Sequence, residues 1–270
     1  MVVREPAVAG RFYPANPREL TREVDEYLSR EQRAAKLRAL GCVVPHAGIM
    51  YSGHVAGAVY SSIHIPARMI ILCPRHFPPG QPMAINSAGV WRTPLGDASI
   101  DSELAEELKR ECPLLREDTV AHRSEHSLEV QLPFLQRAVH DFRFVPIALG
   151  TDRFQAFDEL GRAVAQVIQR MGGSILVVAS SDMNHHETDS VTRVKDQKAI
   201  ERLLALDPRG LYDTVRREGI TMCGYGPAVT MLTASKELGA TRAQLIRYAT
   251  SGDVTGDRDY VVGYAGIVVM

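Results

Sequence analysis

Apolar positions along the chain follow two spacings. Leu20, Val24 and Leu28 recur every fourth residue behind Asn16 and Pro17, which predicts a capped helix with one buried stripe. Met69 to Cys73 and Ile175 to Ala179 are apolar at every position, and Cys42-Val43-Val44 is a shorter run that stops at Pro45. Phe142 to Leu149, Leu245 to Thr250 and Val261 to Val269 also read as strands. Between them the spacing predicts helices from Ser52 to Ile63, from Asp101 to about Arg110 and from about Glu125 to Val139, the last kinked at Pro133. Further helices are expected over Phe154 to Met171, Val191 to Leu206 and Pro227 to Leu238. Strands that are apolar at every position are covered on both faces. Their alternation with helices predicts an α/β fold, a three-layer sandwich with a mostly parallel central sheet. No linker or repeat divides the chain, so residues 1–270 are expected to form a single domain.

Composition narrows the partners. Among 270 residues, 31 Lys and Arg stand against 32 Asp and Glu, a net charge of −1. No basic field is present to hold nucleic acid or an anionic membrane, so recognition must be local. No apolar run approaches the ~18 residues needed to cross a bilayer, and the N-terminus has no signal-like apolar core. A cytoplasmic protein is expected. Cys42, Cys73, Cys112 and Cys223 lie far apart with no CxxC spacing, which argues against a disulfide framework or a zinc knuckle.

In parallel sheets ligands bind beyond the carboxyl ends of the strands. Three apolar runs end in histidine-bearing clusters: Pro45-His46-Ala47-Gly48, Pro74-Arg75-His76, and Ser180-Ser181-Asp182-Met183-Asn184-His185-His186. A lone histidine after a strand is usually a packing or capping residue; three brought to one edge make a candidate site for metal ligation or proton transfer. A fourth cluster, Gly252-Asp253-Val254-Thr255-Gly256-Asp257, reads first as a turn between strands, with Asp253 or Asp257 as the source of a carboxylate the less favoured reading from turn signals alone. Two histidines and one carboxylate suit non-heme Fe(II), and zinc uses the same set. HExxH, Walker A, GxGxxG and GxSxG patterns are absent.

Two further segments are candidates. In Ser124-Glu125-His126-Ser127-Leu128-Glu129, His126 and Glu129 stand either on a solvated helix face or at the pocket rim, where they would orient a metal-binding imidazole. Met222-Cys223-Gly224 precedes a helix; Cys223 is a pocket-wall candidate, a reactive thiol being the less favoured reading.

These segments, together with Ala9-Gly10-Arg11-Phe12-Tyr13-Pro14, Tyr51-Ser52-Gly53, Arg92-Thr93-Pro94-Leu95-Gly96 and Tyr248-Ala249-Thr250-Ser251-Gly252-Asp253, resemble the MEMO family, also called the AmmeMemoRadiSam system protein B group. The pieces run in family order over nearly the whole chain. The resemblance implies a fold similar to the class III extradiol (LigB-like) dioxygenases, which hold Fe(II) on two histidines and a carboxylate. By position, His46 and His76 would be the metal imidazoles and His185 the acid/base of the pocket, with His126 beside it. Animal members carry a cysteine in the late loop where this chain has Val254, so neighbouring Asp253 is nominated as third ligand. Arg75 replaces the Asn or Ser of many members; with Asp182, Cys223 and Glu129 it would line the substrate site and favour an anion. The implied cofactor is Fe(II), with zinc or copper as alternatives. The implied partners are a small molecule or a peptide, and radical-SAM and AMMECR-type proteins of the same system. Three functions remain open at this point: redox or dioxygenase-like chemistry, a peptide- or anion-binding module without turnover, and a zinc-type hydrolase.

Overall fold

Residues 2–30 and 35–270 are described by the computed structural model. The strands of the main sheet are β1 (Val3–Arg4), β2 (Gly41–Val44), β3 (Arg68–Pro74), β4 (Val90–Thr93), β5 (Gly96–Ile100), β6 (Arg143–Leu149), β7 (Ile175–Ser180), β8 (His185–Glu187), β9 (Ala243–Thr250) and β10 (Val261–Val269). They lie in the order β1-β4-β5-β6-β3-β7-β2-β10-β8, with β9 on β10 and Met83–Ile85 on β6. The central β6, β3, β7 and β2 are mutually parallel; β10 closes against β2 antiparallel.

Continuous apolar sequence in these strands has the expected cause. Alternate residues feed two cores. Ile70 and Leu72 of β3 and Val177 and Ala179 of β7 face a core with α3 (Ser102–Glu111), α6 (Phe154–Met171), α7 (Asp189–Leu204), α8 (Pro208–Arg217) and α9 (Tyr225–Glu237). Met69, Ile71, Cys73, Leu176 and Val178 face the opposite core with α1 (Pro17–Ser29), α2 (Ile49–Ser62) and α5 (Leu132–Ala138). The sheet is therefore mostly parallel and flanked by helices on both sides, as the alternation predicts. Among the described residues no helix is long and apolar enough to cross a membrane.

Local signals set the boundaries. The Asn16 side chain accepts from Arg18 N and Glu19 N, and Asp101 accepts from Leu104 N, so both predicted caps are present. The helix expected from Glu125 to Val139 is instead broken. The Glu125 carboxylate accepts the Ser127 N–H, so side chain competes with backbone and the helix does not start there. A 3₁₀ turn, Glu129–Gln131, comes next and leads into α5. Helix α2 begins at Ile49 rather than Ser52; the Ser52 hydroxyl donates back to the Ala47 carbonyl inside the helix.

Candidate metal centre

β2, β3 and β7 end side by side and deliver His46, His76 and the Ser180–Asp182 turn to one edge. His46 is buried. Its Nδ1 lies 2.9 Å from Ser180 Oγ. Ser180 Oγ donates its one proton to the Ser127 carbonyl at 2.6 Å and accepts from Gln131 Nε2 at 2.8 Å. His46 Nδ1 is therefore the donor in its pair, and the Nε2 lone pair is left facing the cleft. That Nε2 is 3.3 Å from Cys223 Sγ.

His76 is held the same way. Its Nδ1 donates to Glu125 Oε1 at 2.9 Å and its backbone N–H to Glu125 Oε2 at 2.6 Å. Glu125 is fully buried and also accepts from Ser127 N and Ser127 Oγ. Burial alone would raise this carboxyl; the hydrogen bonds from His76 and Ser127 outweigh it and bring it down to about 2. An ionised carboxylate on Nδ1 again leaves Nε2 free, the carboxylate–histidine arrangement common behind metal-ligating imidazoles. His185 is oriented likewise: its Nδ1 lies 3.0 Å from the Thr221 carbonyl, which can only accept.

His46, His76 and Cys223 offer ligand atoms all within 4.8 Å of one another. The His46 and His76 rings cross at 76°, so their in-plane lone pairs can converge on one ion. His76, Glu125 and His126 form a second such group. There the two imidazoles are stacked at 27° with centroids 4.7 Å apart, and near-parallel rings do not aim both lone pairs at one point. His126 is instead sandwiched between His76 and Phe12, the latter at 4.6 Å. Burial, then the charges of His46 and His76, lower His126 to about 4. Burial likewise holds His46 well below its ordinary range, helped by His76 and His185.

Cys223 reaches the centre because Gly224 has no side chain: a Cβ there would collide with the Ser180 carbonyl oxygen and with Ser181 Cβ. Gly224 N donates to Ser181 Oγ, and α9 starts immediately after it. Asn184 Oδ1 accepts from Thr221 N and Oγ1, tying this turn to the one that carries Asp182 and His185. Asp182 accepts from His46 N at 2.7 Å, and its Oδ2 is 4.0 Å from His46 Nε2. Burial raises the Asp182 carboxyl, and burial and Asp182 both raise the Cys223 thiol.

Three sequence expectations are corrected. Asp253 joins neither ligand group. Its carboxylate accepts from Thr250 N and pairs with Arg193 and Arg258, which clamps α10 (Gly252–Thr255) to α7; Cys223 sulfur stands with the two histidines instead. Arg75 does not bring its charge to bear on the centre. Its guanidinium donates to the Gly80 carbonyl and fills the space where a Gly150 Cβ would be. The strongest charges on His46, Asp182 and Cys223 are histidines and carboxylates. Glu129 is not at the rim: fully buried, it accepts from Ala7 N, Val8 N, Tyr13 Oη and Arg4. Sequence reasoning did not anticipate Glu125 and Ser180 as the groups that fix the imidazole protons. The acid beside a histidine motif was a usable signal for Glu125; Ser180 was named only as the opening residue of the third histidine-bearing cluster, with no role of its own.

Comparison with known proteins gives the family and the fold. The family model described as "Memo-like protein" matches residues 4–268. A MEMO1 family protein of Methanosarcina barkeri is 43% identical over 269 residues, covering 99% of this chain and all of that one. Another, from Methanothermobacter thermautotrophicus, is 41% identical over 274 residues, covering 98% and 99%. The crystal structure of an uncharacterized protein from Escherichia coli K12 shares the fold at a TM-score of 0.56 and 14% identity, covering 86% of this chain and 100% of that chain. The chain belongs to the MEMO family.

Proposed function

We propose that the protein is a metal-dependent redox protein whose ion is held by His46, His76 and Cys223. The observation that carries this reading is that both imidazoles spend Nδ1 on an internal acceptor, His46 turns Nε2 to the Cys223 sulfur, and ligand atoms of His46, His76 and Cys223 lie within 4.8 Å of one another. Imidazole with thiolate suits iron, copper or zinc, and Fe(II) is the metal proposed. When bound, such an ion would supply electron transfer or activation of a coordinated substrate. His185 would move a proton at its free Nε2, and Asp182 would hold the His46 turn and accept a substrate donor. The substrate proposed is a small molecule.

Elemental analysis of protein purified without oxygen, alongside His46→Ala and Cys223→Ala, tests the reading. Near-stoichiometric iron lost in both variants is expected. Zinc lost in the same way would redirect the reading to hydrolysis. No metal after anaerobic reconstitution would overturn it.

A further inference from the structure

We propose that Arg4 is a positioning residue for the metal centre, setting the Glu125 backbone on which His76 depends. The inference rests on the His46–His76–Cys223 reading above. The Arg4 side chain is 8% exposed and every face of its guanidinium is used. Nε donates to the His122 carbonyl at 3.0 Å, one terminal nitrogen to the Glu125 carbonyl at 2.8 Å, and the other to the Glu129 carboxylate. The plane lies over the Trp91 ring with the central carbon 4.2 Å from its centroid.

The segment so gripped is held by side chains rather than by a ladder: the Glu125 carboxylate takes the Ser127 N–H, and the Ser127 carbonyl takes the Ser180 hydroxyl. Residues 124–128 lie between the single turn of α4 (Val120–Arg123) and the 3₁₀ turn, outside any helix or strand; the carbonyl of Glu125, and that of His122 at the end of the short α4, take side-chain donors. Buried carbonyls need donors. Arg4 supplies both from a strand more than a hundred residues away in sequence. A planar fork satisfies acceptors at fixed mutual angles; an ammonium of equal charge satisfies fewer of them in place. Glu129 completes the device by neutralising Arg4 and by binding Ala7 N, Val8 N and Tyr13 Oη, which fixes the N-terminal segment that carries the fork. The same segment brings Phe12 against His126.

The effect on His76 is geometric. Glu125 meets it at two points, backbone N–H and Nδ1, and both contacts are short enough that displacing the Glu125 backbone loosens the ring. Arg4 touches neither the cleft nor a ligand atom; its influence passes through Glu125.

The test uses the full chain with Arg4→Lys, Arg4→Met and the charge-balanced pair Arg4→Met with Glu129→Gln, with Glu125→Gln as reference. Nitrogen NMR of the His76 ring in metal-free protein reads the tautomer directly. Fe(II) affinity is read separately by competition with a chromogenic chelator. The expected result is a His76 ring fixed with Nδ1 protonated in the parent, mixed tautomers in the Arg4 variants and in Glu125→Gln, and Fe(II) binding weaker by ~10–100-fold in each. Arg4→Lys is expected to regain thermal stability but not the ring tautomer. Folded Arg4 variants with the parent tautomer and the parent affinity would overturn the proposal, whatever their melting temperature. A parent that binds no Fe(II) would defeat the functional reading instead, and the ring tautomer would still decide the role of Arg4.

Discussion

Nε2 of His46 lies 3.3 Å from Sγ of Cys223, although 177 positions separate them in the chain. Their juxtaposition, with His76 alongside, makes Cys223 the residue whose loss should empty the centre. Cys223→Ala is expected to cost more metal affinity than the ~10–100-fold typical of an outer hydrogen-bonding partner. Asp253→Asn should leave affinity unchanged and lower stability by no more than ~1 kcal/mol, because its ion pairs are partly exposed. Metal titration of the two variants side by side checks both; a metal-free Asp253→Asn protein would reinstate the carboxylate.

Glu129 and Arg4 form a buried ion pair, and removing one partner strands the other. Glu129→Ala should destabilise the fold by about 3–5 kcal/mol, a fall in melting temperature on the order of 10 °C. Thermal denaturation of the variant measures it. A shift of one or two degrees would mean the N-terminal segment is held by other contacts.

His122 is fully buried, and burial, then the Arg4 charge, lower it to about 4. The unfolded chain therefore takes up a proton near pH 6.5 that the folded chain refuses until about pH 4. Stability is complete above the upper value and declines as pH falls through that window, by up to about 3 kcal/mol for this one group. His122→Phe keeps a ring against Trp91 and removes the titration. Denaturant unfolding between pH 7 and 4 should show a shallower decline in the variant; parallel curves would acquit His122.

Asp196 behaves in the opposite sense. It lies under β10, where it accepts from Asn184 N and Tyr248 Oη, and burial raises its carboxyl to about 7. The folded state holds this proton more tightly than the unfolded state, so stability present at low pH is lost as pH rises from about 4 through 7. Asp196→Asn is expected to be more stable than the parent at pH 8, by up to about 4 kcal/mol, with the gap closing by pH 4. Melting curves across that range test it, and a gap independent of pH would show that charge is not the cause.

The apolar strands and the parallel-sheet rule were enough to read the edge where the site lies, and to bring His46, His76 and the Asp182–His185 cluster there. The sequence nominates Asp253 rather than the proposed Cys223 as third ligand for a specific reason. A Gly–Asp turn near the end of the chain carries the composition of a ligand loop, and Asp253 sits in it; only three-dimensional structure reveals that Arg193 and Arg258 already occupy that carboxylate. Cys223 was legible only as a pocket wall, because the close approach that Gly224 permits is a property of packing between distant segments. Glu129 misled through helical spacing: once Glu125 captures the Ser127 N–H, the residues after it are turned through a different angle, and the acid predicted at the rim points inward. Long-range hydrogen bonding decided these positions, and periodicity carries no information about it.

The three ligand atoms of the proposed centre come from residues 46, 76 and 223. A ribosome adds 147 residues after His76 before the sulfur exists to meet the imidazoles, and domains generally fold as units as synthesis proceeds. In the proposed centre the full ligand set therefore exists only once residue 223 has been made, and an ion captured earlier by the two histidines alone would have to accept a new neighbour when the turn before α9 packs into place.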